Sequence, residues 1–323
     1  MIDQMGRRID YLRISVTDRC NLRCIYCMPG EGVSELAHAK ILSFEEIVRL
    51  VRIMTLLGIR HLRLTGGEPM ARRGCLELAK QLHEVPGVAS VSMTSNGILL
   101  KDQVHQAKCS GISALNLSID SLDPERYFRL TRGGELSRAL CTLHQALEEG
   151  LTVKVNAVPV RGMNEEDLTQ LARLARTDPV CVRFIELMPI GLGSRAERIP
   201  NQEVKRHLDE AFGNPREDTQ AHGHGPARYV KYPGFCGAVG FISALSHEFC
   251  ETCNRVRLTA DGRLKLCLNH TKGLNLREML RSGDSDEEIL EAVRKAIAQK
   301  PERHAFYETI SDHEERSMNA IGG

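Results

Sequence analysis

Two sets of three cysteines are the residues whose spacing could do chemistry. Cys20, Cys24 and Cys27 stand at C-x3-C-x2-C spacing, just after a strand-like run from Tyr11 to Val16. Three thiols so close can converge on one metal centre, yet structural zinc takes four ligands and an ordinary iron–sulfur cluster takes four thiolates. A three-thiolate site leaves one metal position open for a ligand. Zinc with a distant fourth ligand, or three unrelated core thiols, would give the same spacing. The second set is Cys250 and Cys253, a C-x2-C pair, with Cys267 after thirteen residues. His270 could complete a zinc knuckle there. Arg255 and Arg257 flank Val256 between the pair and the third cysteine, with Lys265 nearby. Alternating arginines beside a metal site suit an anion such as phosphate through their fork geometry; two arginines on a solvated strand are the plainer reading. The remaining thiols, Cys75, Cys109, Cys141, Cys181 and Cys236, read as small buried hydrophobes.

The elements that must position these residues alternate. Ser43-Phe44-Glu45-Glu46 is a capping-box sequence, and Ile47, Leu50, Val51, Met54 and Leu57 follow at helical spacing before Gly58. Strands are predicted at His61–Thr65, 89–94, 114–119, 152–159 and 180–187, with helices near 75–85, 101–109, 136–149, 165–176 and 201–212. Six strand–helix units imply an α/β fold with a parallel sheet, an incomplete TIM-type barrel. Residues 214–225 read as a linker, 229–245 as strand-like and 287–299 as a final helix. Two regions are expected: a partial barrel over 1–220 and a C-terminal region over 221–323.

Side chains two apart on a strand share a face. Polar pairs recur near the strand ends: Arg63 and Thr65, Thr94 and Asn96, Asn116, Ser118 and Asp120, Lys154 and Asn156, Glu186 and Met188. In parallel strands covered by helices these groups line a lumen, where barrel ligands bind. Gly66-Gly67-Glu68-Pro69 follows the second strand; adjacent glycines admit close approach of a ligand to the backbone.

The totals exclude several classes. The chain has 323 residues, 42% of them hydrophobic, a net charge of +1, no tryptophan and 4% aromatics. Neither bulk charge nor stacking platforms favour nucleic acid, and no apolar run reaches the roughly 20 residues of a membrane span. Eleven cysteines without a secretion signal point to metal or redox use in a cytoplasmic protein.

C-x3-C-x2-C with Tyr26 before its last cysteine, followed by Gly66-Gly67-Glu68-Pro69, resembles the radical S-adenosylmethionine (SAM) superfamily. The second cysteine set with its arginines, and the Gly322-Gly323 terminus, narrow the resemblance to the MoaA family of GTP 3′,8-cyclases, from Tyr11 to Gly323. The resemblance implies two [4Fe–4S] clusters, one on Cys20, Cys24 and Cys27, the other on Cys250, Cys253 and Cys267. It implies that Tyr26, Gly67, Glu68, Ser118 and Met188 contact SAM. Arg13, Arg63, Thr94, Lys154, Arg255, Val256 and Arg257 would contact GTP, and the double-glycine tail would reach the active site. A 5′-deoxyadenosyl radical would take the C3′ hydrogen of GTP, and the C3′ radical would attack C8 of guanine. Asn269 and Met70-Ala71 depart from what relatives commonly carry. The implied partners are GTP, a downstream cyclic pyranopterin monophosphate synthase and an electron donor such as flavodoxin or ferredoxin, with a homodimer possible. A peptide-modifying radical enzyme, or a zinc-binding interaction module, would be the rival.

Overall fold

The structure is a computed structural model that describes residues 1–306, 314 and 316–322. Its twelve strands form one sheet: β1 (Tyr11–Ser15), β2 (His61–Thr65), β3 (Ser90–Ser95), β4 (Ile112–Ser118), β5 (Thr152–Ala157), β6 (Cys181–Ile185), β7 (Arg216–Glu217), β8 (Arg228–Lys231), β9 (Ala238–Ile242), β10 (Arg255–Leu258), β11 (Arg263–Lys265) and β12 (Gly273–Asn275). Its order is β12-β11-β10-β1-β2-β3-β4-β5-β6-β9-β8-β7. The six expected units are β1 to β6, side by side and parallel. The C-terminal part adds a parallel strand at each flank, β10 beside β1 and β9 beside β6, and antiparallel strands finish both edges.

Strand alternation decides what faces where. Leu12 and Ile14, Leu62 and Leu64, Leu115 and Leu117, Val153 and Val155, and Val256 and Leu258 are all buried in the helix-covered layer. The intervening residues point to the other side, so Arg257, Arg13 and Arg63 stand opposite one another across three adjacent strands. The sheet curls enough for Arg63 of β2 and Arg183 of β6 to line one cavity.

The helix Phe44–Thr55 forms as its sequence suggests: Ser43 and Glu46 make the reciprocal capping box, and Ile47, Leu50, Val51 and Met54 are buried. Two helices, Pro124–Thr131 and Leu136–Glu148, join β4 to β5 where only the second is predicted. The signal for the first was legible, since Asp123 caps it by accepting the Arg126 amide at 2.7 Å and Pro124 occupies its first position. The predicted strand over 229–245 is two strands, β8 and β9, and the predicted linker holds β7.

Candidate active site

Both cysteine sets line one cavity at the C-terminal ends of β1 to β6. Cys20, Cys24 and Cys27 lie in the loop after β1, and all eleven cysteines are free thiols. The Tyr26 hydroxyl donates to Asp120 Oδ2 at 2.6 Å, which docks this loop on the end of β4. Asp120 Oδ1 accepts the Val158 amide at 2.8 Å. On the other side the Gly67 amide donates to the Thr17 carbonyl and the Glu68 amide to the Arg19 carbonyl, at 2.8 and 2.7 Å. The Gly-Gly-Glu-Pro turn is thereby stitched to the residues leading into Cys20.

Burial pushes the Cys20 thiol up to about 11 and the Cys27 thiol up to about 12. Cys24 is raised well above its usual value by burial, then by Asp120 and the other two thiols. Three mutually repelling buried thiolates need a metal cation to stay charged. The donor set therefore fits an iron–sulfur cluster with one open iron. Glu68 lies beside it, buried, accepting from Ser95 Oγ and the Asn96 amide at 2.8 Å and the Met70 amide at 3.2 Å. Burial raises its carboxyl to about 7.

The opposite wall is basic. Arg13, Arg63, Arg183, Arg255 and Arg257 all line the cavity. Burial and mutual repulsion hold Arg63 down to about 10 and Arg257 down to about 10, and Arg13 well below its ordinary value. Burial, then Arg183 and Arg63, brings Lys154 down to about 8. Among the described residues the buried Thr94 hydroxyl, Tyr11 hydroxyl and Arg255 Nε have no hydrogen-bond partner. A cluster of buried cations with unsatisfied donors beside it matches an anionic, polar ligand.

Of the residues singled out from sequence, Tyr26, Gly67, Glu68, Ser118, Met188, Arg13, Arg63, Thr94, Arg255 and Arg257 line the cavity. Lys154 is buried below Gly223, whose φ is +96° and where a Cβ would come within 2.8 Å of Lys154 Nζ. The side chain of Val256 is in the core, so only its main chain could meet a ligand. Asn116 accepts a hydrogen bond from Arg183 instead of facing the cavity alone.

Several assignments change. Glu186 does not offer a free carboxylate: it accepts from the amides of Asn201, Leu245 and Ser246 at 3.0–3.1 Å. β6 ends at Ile185, and beyond it Glu186 and Met188 line the cavity together with Leu187. Lys265 is fully buried on Glu314 and belongs to no anion site. His304, not His270, stands beside the second cysteine set, and its Nε2 meets the Ala244 carbonyl at 2.8 Å while Nδ1 takes the Phe306 amide at 3.5 Å. Among the described residues a His304 nitrogen lies within 4.8 Å of Cys250 Sγ and of a Glu248 oxygen, so the imidazole at this set is that of His304. Among the scattered thiols only Cys75 and Cys181 are buried; Cys109 and Cys236 are exposed.

Sequence reasoning missed three groups. Arg183, on β6, is buried and donates to Asn116 Oδ1 and Asn156 Oδ1 at 2.6 Å; an arginine inside an otherwise apolar strand was the available signal. Asn319 donates to the Asp18 carbonyl at 2.9 Å, and Arg257 donates to the Gly322 carbonyl at 2.7 Å. The C-terminal tail thus does reach the cavity wall at Gly322, while Gly323 lies outside the described residues. The third is Arg7, whose Nη1 and Nη2 donate to the carbonyls of Cys250, Lys300, Pro301 and Glu302 at 2.8–3.1 Å, while Nε pairs with Asp3.

Replacing Arg7 with methionine is expected to cost about 3–5 kcal/mol by stranding the buried Asp3 carboxylate. Iron should be lost from the second cysteine set before the first, read as a lowered urea midpoint together with iron per chain. Full iron loading at parental stability would refute the clamp.

The radical SAM superfamily family model matches residues 14–175, and the Molybdenum Cofactor Synthesis C family model matches residues 180–306. A GTP 3′,8-cyclase of Clostridium perfringens (strain SM101 / Type A) is 41% identical over 323 residues, covering all of both chains. Those of Pelotomaculum thermopropionicum and Petrotoga mobilis are each 44% identical, again over the whole of both chains. This chain belongs to the GTP 3′,8-cyclase family. Membership places it among the radical SAM enzymes and sets aside the zinc-module reading. The fold is shared with SuiB of Streptococcus suis. The SAM-bound structure gives a TM-score of 0.61 at 16% identity, covering 89% of this chain and 68% of that one. The structure bound to precursor peptide SuiA gives 0.63 at 14%, covering 98% and 76%. Among the described residues no helix is long and apolar enough to cross a membrane.

Proposed function

We propose that this chain cyclises GTP to (8S)-3′,8-cyclo-7,8-dihydroguanosine 5′-triphosphate, a step of molybdenum cofactor biosynthesis. The carrying observation is one cavity lined by both three-cysteine sets and by Arg13, Arg63, Arg183, Arg255 and Arg257. When bound, the cluster on Cys20, Cys24 and Cys27 supplies the electron that cleaves SAM. A second [4Fe–4S] cluster belongs to Cys250, Cys253 and Cys267.

The residues around these sets bind and orient. Glu68 takes the SAM ammonium, with Tyr26, Gly67, Ser118 and Met188 holding the rest of the molecule. Arg13, Arg63, Lys154, Arg255 and Arg257 hold GTP, joined by the Thr94 hydroxyl, the Val256 main chain and Arg183. Cationic forks of this kind position a triphosphate and hold the ribose and base for reaction. A protein reductant such as flavodoxin or ferredoxin and a cyclic pyranopterin monophosphate synthase would act before and after. The assay is anaerobic incubation with GTP, SAM and dithionite. 5′-Deoxyadenosine should form only with GTP present, together with a cyclised isomer of GTP; release indifferent to GTP rejects the assignment.

The Glu68 carboxyl gives a pH dependence. With its value raised to about 7, the ligand-free protein holds a proton there at lower pH, whereas an ammonium pairs with the charged form. SAM affinity is therefore expected to fall as pH drops from about 8 to about 6, approaching tenfold per unit below the titration point. Equilibrium binding should show that slope in the parent and a flat profile in Glu68→Gln. Identical slopes would remove Glu68 from the SAM site.

A further inference from the structure

Lys300 and His304 line the cavity together with the second cysteine set. Lys300 is 6% exposed; its Nζ donates to the carbonyl of Leu266, the neighbour of Cys267, at 2.5 Å, and its charge, after that of Arg255, helps hold the Cys253 thiol down. Arg7 fixes the backbone beneath, since it binds the carbonyls of Lys300, Pro301 and Glu302 as well as that of Cys250. Lys300 has no carboxylate within ion-pair distance among the described residues, whereas the other buried C-terminal lysine, Lys265, is paired with Glu314. A buried ammonium without a carboxylate must find its counter-charge elsewhere. Among the described residues the anionic chemistry beside it is the thiolate of Cys253.

We propose that Lys300 is the counter-cation of the cluster on Cys250, Cys253 and Cys267, and that its charge, fixed by the Leu266 carbonyl beside Cys267, raises the reduction potential of that cluster. The inference rests on the reading that this set holds a cluster. Reduction adds negative charge to the iron–sulfur core, and a fixed cation beside it stabilises the reduced form over the oxidised one. Lys300 is then a positioning and tuning residue, one the GTP contacts do not require.

The test uses the full chain with Cys20, Cys24 and Cys27 all replaced by alanine, so that only the second set can load. After anaerobic reconstitution, iron is counted and the midpoint potential is read by spectroscopic titration without GTP or SAM. Lys300→Met should lower the potential by about 59 mV or more, a tenfold change in the one-electron equilibrium. Lys300→Gln keeps a donor for the Leu266 carbonyl but lacks the charge, so it should shift the same way and carries the test if the methionine variant does not load. Lys300→Arg should stay near the parent. A loaded cluster with unchanged potential in Lys300→Gln overturns the role of Lys300 and leaves the cluster standing. No iron in the triple-alanine parent overturns both.

Discussion

Cys267→Ser is expected to leave reductive cleavage of SAM intact while abolishing cyclised product. The two cysteine sets lie in different parts of the chain, one in the loop after β1 and the other around β10 and β11, so losing one thiol of the second leaves the first loop and its Tyr26–Asp120 bond unchanged. A set reduced to two thiols cannot hold a cluster, and iron should fall from about eight to about four per chain after reconstitution. Without that cluster GTP loses its fixed placement against the reacting carbon. Cyclisation should drop below about a thousandth of the parental rate, the scale at which lost orientation acts. 5′-Deoxyadenosine then accumulates without cyclised GTP. Retained cyclisation would count against the second site, and lost SAM cleavage would mean that the sets are not independent.

Gly67→Ala should be nearly as damaging, for a steric reason. A Cβ on Gly67 would lie 2.2 Å from the Arg19 carbonyl oxygen and 2.8 Å from that of Asp18. Those atoms are backbone and cannot rotate away, so the Gly-Gly-Glu-Pro turn and the strand-to-cysteine loop must separate. The amide bonds from Gly67 and Glu68 to Thr17 and Arg19 would break with them. Overpacking of this kind costs about 1–3 kcal/mol, which a protein of this size tolerates. The larger effect is on geometry, because a displacement of about 1 Å at a reacting site can cost about a hundredfold. SAM affinity and 5′-deoxyadenosine formation should fall together, with iron at the second set retained. Parental SAM binding in this variant would show that the close approach is incidental.

Much of this site could be read before any coordinates. The C-x3-C-x2-C and C-x2-C-x13-C spacings are local, so chain connectivity alone keeps each set of thiols together. Alternation along β2, β3, β4 and β5 also marked the lumen face, where Arg63, Thr94, Asn96, Ser118, Asp120 and Asn156 line the cavity, because side-chain direction in a strand is a two-residue property. Glu186, one residue past the end of β6, also lines the cavity, but its carboxylate is taken up by amides of a distant loop. The zinc reading through His270 failed because nearness in sequence does not place a ring, and His304 occupies that side instead.

Sequence by itself determined which atoms can bind metal, which strand faces are polar and, through its motifs, the family. Only the tertiary structure decided that the two incomplete cysteine sets share a cavity. β10 pairs in parallel with β1, a strand 244 residues earlier in the register Tyr11 to Arg255, and this brings Arg255 and Arg257 beside Arg13. No local propensity encodes that pairing; it follows from burying Val256 and Leu258 against the same layer as Leu12 and Ile14. The same holds for Arg7 and Lys300, polar residues of the two chain ends. Neither carries a motif, and each has its role only because folding places it against the second cysteine set.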